Sequence, residues 1–180
     1  MKIAAFMGSP RKHKNTDVIL DAFLMGIKEN SNDEINNVFL QKYKISNCLA
    51  CDSCMNTHKC VVNDDMQDIY PIFEEADVVI FATPIYWWSM SGQMKSFIDR
   101  LYAVGSAKMK GKKAYLLMTY GGELPNSGPE LVQKTFEDIF EYVGIELKGV
   151  LGVCSGEIPT CDNKEVLKQA YEMGKKSVLF

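Results

Sequence analysis

The 180-residue chain has no apolar run approaching the ~20 residues that a membrane-spanning helix needs. It has no basic excess either: 20 lysines and arginines stand against 23 aspartates and glutamates, for a net charge of −3. Proteins whose main partner is nucleic acid usually carry a basic imprint, so that partner is not expected. No internal repeat, low-complexity tract or linker interrupts the chain, so a single domain spanning 1–180 is expected. The opening Met1-Lys2-Ile3-Ala4-Ala5-Phe6 is too short for a secretory leader and is followed by Arg11, Lys12 and Lys14, which points to a cytoplasmic protein. Two glycine-rich patterns are also missing. There is no G-x-x-x-x-G-K-[ST] of P-loop NTPases and no G-x-G-x-x-G of dinucleotide-binding folds.

What is present reads as an ordinary globular chain, 47% hydrophobic and 24% charged, and long enough to bury a substantial core. Apolar runs alternate with amphipathic segments. Strands are expected at Lys2–Met7, Glu34–Leu40, Asp77–Thr83, Lys112–Thr119 and Ile145–Val153. Helices are expected at Thr16–Glu29, where Ile19, Phe23 and Ile27 share one face, at about 65–75, at Gly92–Val104 capped by Ser91, at Gly128–Val143 ended by Gly144, and at Asn163–Val178. Pro71 falls inside the second of these and predicts a kink or a late start. Strands separated by helices of ten or more residues define a parallel α/β sheet, and near-continuous apolar strands fit one covered on both faces.

Ligands of such a sheet bind beyond the carboxyl ends of its strands, at the switch point in strand order. The loop after the first strand, Gly8 to Thr16, opens a helix whose N-terminus suits a phosphate. Ser9, Asn15 and Thr16 are candidate donors, and Arg11 is a candidate clamp for the anion; His13 reads as a surface residue. The loop after the third strand, Thr83-Pro84-Ile85-Tyr86-Trp87-Trp88, puts three aromatics in a row where a flat heteroaromatic ring could lie. For Trp88 taken alone, packing in the core or at a subunit interface explains the sequence as well. The loop after the fourth strand, Thr119-Tyr120-Gly121-Gly122, allows a close backbone approach. A phosphate site, an aromatic wall and a glycine loop describe a mononucleotide with a planar ring. FMN fits better than an adenine nucleotide, because no acidic ribose partner or triphosphate loop is present.

Four of the six cysteines, Cys48, Cys51, Cys54 and Cys60, fall within thirteen mostly polar residues, in a loop occupying about 44–63. Four-cysteine zinc sites use two pairs with a longer spacer, which this run lacks. Its C-x2-C-x2-C start matches the thiolate pattern that holds [4Fe–4S] clusters in bacterial ferredoxins. On the residues alone a cluster, redox-active thiols without a cluster, zinc and a disulfide all remain open. Cys154 reads as a buried packing residue, and Cys161 has no evident partner.

These segments together resemble a known family. Gly-Ser-Pro-Arg-Lys-x-x-Asn-Thr at 8–16 is similar to the FMN phosphate loop of the flavodoxin-like NADPH-dependent FMN reductases. Ala-Thr-Pro-Ile-Tyr-Trp at 82–87 and Ser-Gly-Gln-Met-Lys-Ser-Phe-Ile-Asp-Arg at 91–100 resemble their flavin-ring segment and the helix that follows. Cys51-x2-Cys54-x5-Cys60 followed by Val62-Asn63-Asp64-Asp65-Met66 resembles the iron–sulfur flavoproteins. The resemblance implies a flavodoxin-like three-layer sandwich with a five-stranded parallel sheet of order 2-1-3-4-5. It places the FMN phosphate on Ser9, Arg11, Asn15 and Thr16, and the ring against Pro84, Ile85, Tyr86 and Trp87, with Thr119, Gly121 and Gly122 on the far side. It makes Cys48, Cys51, Cys54 and Cys60 the ligands of a [4Fe–4S] cluster. It implies an FMN-dependent oxidoreductase that takes electrons from NAD(P)H or ferredoxin and passes them to a small-molecule or protein acceptor, as a homodimer or homotetramer. No side chain is singled out as catalytic. The rival readings are a non-catalytic electron carrier or redox sensor with the same cofactors, and a metal-binding module without flavin.

Overall fold

The computed structural model describes residues 1–179. In chain order the elements are β1 (Lys2–Met7), α1 (Asn15–Asn30), β2 (Glu34–Phe39), α2 (Cys54–Thr57), α3 (Met66–Glu75), β3 (Val78–Tyr86), β4 (Ser89–Met90), α4 (Gly92–Leu101), α5 (Ser106–Met109), β5 (Lys113–Tyr120), α6 (Gly128–Val143), β6 (Glu146–Cys154) and α7 (Lys164–Lys176). The sheet runs β2-β1-β3-β5-β6 with every pairing parallel, and the two-residue β4 folds back antiparallel on the end of β3. Without β4 this is the expected order 2-1-3-4-5.

Period-two alternation along buried strands feeds two cores. Ile3, Ala5 and Met7 of β1, with Val78, Ile80 and Ala82 of β3, meet α1 and α7 through Ile19, Leu20, Phe23, Ile27 and Ala170. Ala4, Phe6, Val79 and Phe81 face the other way, onto α3, α4 and α6, where Phe73, Phe97, Phe136 and Phe140 gather. The Phe6 and Phe97 rings stack at 4.5 Å between centroids. Each fully buried phenylalanine is worth roughly 1.5–3 kcal/mol in area terms. On the first face α1 and α7 approach backbone to backbone. A Cβ on Gly26 would lie 2.0 Å from the Tyr171 carbonyl oxygen, and one on Gly174 would lie 1.9 Å from that of Phe23.

Two local expectations change. Helix α3 starts at Met66 and runs through Pro71 to Glu75, so there is no late start. Pro71 removes the donor for the carbonyl four residues back, on Gln67; both residues are exposed, which leaves that carbonyl open to water. Strand β3 runs three residues further than its apolar core, through Pro84-Ile85-Tyr86, because those residues pair onward with β4 and β5. Ser91 caps α4 as expected, its hydroxyl accepting from the Met94 amide at 3.2 Å, and Gly144 ends α6 in the left-handed conformation at φ 76°.

Candidate functional site

Four loops meet at the carboxyl edge of the sheet, and hydrogen bonds far apart in sequence tie them together. The Thr16 and Thr119 hydroxyls lie 2.6 Å apart, joining the start of α1 to the end of β5. The Thr160 amide donates to Asn15 Oδ1 at 3.0 Å. The Ser91 hydroxyl donates to the Gly8 carbonyl at 2.7 Å, and the Gly8 amide donates to the Ala82 carbonyl at 2.7 Å. Pro84 stands opposite Thr119 in the β3–β5 register. Residues expected on the phosphate side (Asn15, Thr16) and on the ring side (Pro84, Thr119) therefore border one site.

At the phosphate end, α1 begins without a side-chain cap, so its first amides have no partner within the helix. They carry the positive end of the helix dipole, about half an elementary charge. Ser9 is buried and its hydroxyl accepts from the Arg11 amide at 3.2 Å; Arg11 itself is exposed. The Asn15 amide is oriented by its bond from Thr160. With Oδ1 engaged, the two N–H donors on Nδ2 remain for an anion. The paired threonines share one bond, so one of their two hydroxyl protons is also left to donate. An uncapped helix end, a free amide donor and a spare hydroxyl proton fit a dianionic phosphate.

At the ring end, Pro84 is buried and Ile85 half-buried. The Thr83 hydroxyl donates to the Pro84 carbonyl at 2.9 Å and accepts from the Ser91 amide at 3.1 Å, which locks the strand end. Trp87 and Trp88 form the two-residue tip of the β3–β4 hairpin, with φ of 49° and 59°. That left-handed pair is the turn that Asn-Gly ordinarily occupies, and bulky residues take it only under strain. Trp87 is 90% exposed and Trp88 54%. The two tryptophans thus form an exposed tip, and Trp88 does not pack in the core. Neither Gly121 nor Gly122 has a positive φ. Gly156 packs closely on this loop: a Cβ there would sit 2.1 Å from the Gly121 carbonyl oxygen.

The loop after β6 (155–163) belongs to the site and was not expected there. The Ser155 amide donates to the Tyr120 carbonyl at 2.8 Å, and the Thr160 hydroxyl, fully buried, has no partner among the described residues. Its one sequence signal was position, since it follows the last strand at the same edge. Cys154 is half-buried rather than buried, its thiol 3.9 Å from the Gly121 carbonyl; Cys161 is exposed.

The thiol loop lies on the α3–α4–α6 face. Cys48, Cys51, Cys54 and Cys60 all border one apolar cavity of about 460 Å³, floored by Phe73, Phe81, Phe136 and Phe140. Among the described residues, no three His, Cys, Asp or Glu side chains converge closely enough to hold a metal ion. Four thiols around one apolar cavity fit a thiolate-bound cluster in donor type and number, but they are not drawn into a coordination sphere. Ser53, through its hydroxyl and its amide, pulls the Cys51 thiol below the ordinary range; burial, and then the neighbouring thiols, push Cys54 above it.

A parallel sheet of this order, with an anion-ready helix end and loops joined at its carboxyl edge, defines the flavodoxin-like class. Within that class, the family model for NADPH-dependent FMN reductase matches residues 1–147, and the chain belongs to that family. An iron-sulfur flavoprotein of Archaeoglobus fulgidus is 36% identical over 180 residues, covering 98% of this chain and 78% of that protein. Two solved structures share the fold. The Trp repressor binding protein from Bacillus subtilis has a TM-score of 0.68 and 26% identity, covering 97% of this chain and 98% of that one. The NAD(P)H:quinone oxidoreductase from Methanothermobacter marburgensis has a TM-score of 0.77 and 17% identity, covering 99% and 96%. The protein is an FMN-dependent, NAD(P)H-linked oxidoreductase, and the reading as a non-catalytic carrier is not favoured. No helix among the described residues is long and apolar enough to cross a membrane.

Proposed function

We propose that one FMN-binding domain, residues 1–180, takes electrons from NAD(P)H and delivers them to a small acceptor of the quinone class, with the thiol loop as the seat of a [4Fe–4S] cluster. The observation that carries the flavin reading is the joining of the four loops by Thr16–Thr119, Asn15–Thr160 and Ser91–Gly8 at an uncapped helix end. FMN supplies the exchange between two-electron hydride chemistry and single-electron transfer. The chain's part is to bind and orient. The α1 amides, Ser9, Arg11, Asn15 and Thr16 hold the phosphate. Pro84, Ile85, Tyr86 and Trp87 border the ring, and Thr119, Gly121 and Gly122 close the far side.

The quinone-class acceptor is supported by the name of the Methanothermobacter neighbour, and the cluster by that of the Archaeoglobus relative. The four thiols around one cavity point the same way. Cysteines that serve as cluster ligands rather than disulfides suit a reducing cytoplasm. The exposed Trp87, Trp88 and Tyr142 favour a homodimer or homotetramer. Reduced ferredoxin is a further donor to assay.

Anaerobic purification with flavin, iron and sulfide analysis, followed by NADH and NADPH oxidation with quinones, tests the proposal. One FMN and about four irons per chain, with quinone-dependent turnover, are expected. FMN without iron would reduce the loop to free thiols, and absence of turnover with every quinone would overturn the acceptor.

A further inference from the structure

Both stems of the thiol loop are held by one buried ion pair. Arg100, near the end of α4, donates from Nη1 to the Ser46 carbonyl at 2.9 Å and to Asp64 Oδ2 at 2.7 Å. Its Nη2 donates to Asp64 Oδ1 at 3.1 Å and to the Val62 carbonyl at 3.4 Å. Asp64 in turn accepts from the Ser46 amide at 2.8 Å and the Met66 amide at 3.1 Å. The Arg100 and Asp64 side chains are 1% and 8% exposed. One planar fork and one carboxylate thus bind the chain just before Cys48 (Ser46) to the chain just after Cys60 (Val62, Asp64), and every thiol of the run lies between. The Tyr70 hydroxyl, donating to the Arg100 carbonyl at 3.0 Å, fixes this end of α4 in turn. A buried ion pair adds little net stability over apolar packing, and its best-attested use is to specify one arrangement.

We propose that Arg100 and Asp64 are positioning residues for the thiol loop: they clamp its stems so that the four cysteines stand around the apolar cavity in the arrangement that accepts a cluster. This rests on reading the loop as a cluster site. The hydrogen bonds of the pair go to backbone groups and to each other, and neither residue borders the cavity. They act through the backbone of residues 46 and 62–64. A bound cluster would be held by the four cysteines as thiolates, their protons going to solvent, and the pair would take no part in that exchange. Lysine at 100 would keep the charge but lose the fork, so it cannot serve Ser46, Val62 and both carboxylate oxygens at once.

The test compares wild type with Asp64→Asn and Arg100→Lys, each purified anaerobically. Iron and sulfide per chain are measured, with Cd²⁺ titration of the iron-free protein followed by thiolate absorption, and with FMN affinity. Loss of a supporting contact around a metal typically costs 10–100-fold in affinity. A fall of at least 10-fold in Cd²⁺ affinity and a matching loss of iron are expected, with FMN affinity held within about two-fold. Iron and Cd²⁺ binding equal to wild type would overturn the inference while leaving the cluster reading intact. Wild type that retains FMN but binds neither iron nor Cd²⁺ would sink the cluster reading, and the inference with it. Parallel loss of FMN and iron in both variants would also overturn it, by placing the pair in general support of the fold.

Discussion

A motif can name residues while leaving their hydrogen bonds undecided, and Asn15 illustrates this. The Gly8–Thr16 pattern marked it for a phosphate, and the bond from the Thr160 amide decides which end of its side chain is left to donate. Asn15→Asp keeps the acceptor for Thr160 and replaces the donor with negative charge. FMN affinity should fall by at least ten-fold while riboflavin, which lacks the phosphate, binds nearly as before; comparing the two ligands by fluorescence titration checks this, and an equal loss for both would refute it. Arg11→Ala should weaken FMN by ~1.5–3 kcal/mol, the range for a hydrogen bond to a charged group, and isothermal titration measures it. Gly156 and Thr160 were not legible beside these residues. Their significance comes from contacts with Gly121 and Asn15, 35 and 145 positions away, which local spacing cannot reveal.

Among the elements, the β3–β4 hairpin and the α1–α7 pair bear on stability in opposite senses. Trp87 and Trp88 hold left-handed dihedrals that cost on the order of 1–3 kcal/mol each in non-glycine residues, and exposure means little packing is lost by removing them. Replacing them together (Trp87→Asn with Trp88→Gly) should raise unfolding stability by roughly 1–2 kcal/mol while lowering NAD(P)H oxidation, the usual trade at a strained functional turn. Denaturant midpoints and steady-state assays on the same preparation separate the two effects. Gly174→Ala should act the other way, since its methyl meets the Phe23 backbone carbonyl, which cannot swing aside. Overpacking of this kind costs about 1–3 kcal/mol, or several degrees in thermal midpoint. Most strands and long helices were legible in the sequence because their apolar periodicity is local. β4 and α2 were not, being only two and four residues long.

At the scale of the whole molecule, Asp64 ties the stems of the thiol loop to α4. Burial alone would raise its carboxyl, but the Arg100 guanidinium and the Ser46 and Met66 amides outweigh it and hold the group below the ordinary carboxylate range. A carboxyl lowered by folding stabilises fully above its unfolded value, near 3.9, and that contribution is lost as pH falls below it. The stability difference between wild type and Asp64→Asn should therefore be constant from neutral pH down to about 4 and shrink below that. At neutral pH, breaking a buried pair at one end costs about 3–5 kcal/mol. Unfolding free energies measured across that range decide it, and a difference unchanged at pH 3 would contradict the account.

The sequence by itself determined the α/β class, the strand order implied by family likeness and the run of thiols, and it supplied the phosphate loop and ring segment on which the proposed flavin site rests. Each is a pattern of near neighbours, carried by side-chain period, loop composition or cysteine spacing. The tertiary structure alone decided that Thr16 meets Thr119, that Thr160 orients Asn15, that the loop after β6 completes the site, and that Arg100 and Asp64 close the thiol loop. Those contacts join residues that the sheet brings together only after it has formed, and their energies come from burial and hydrogen bonding across the fold.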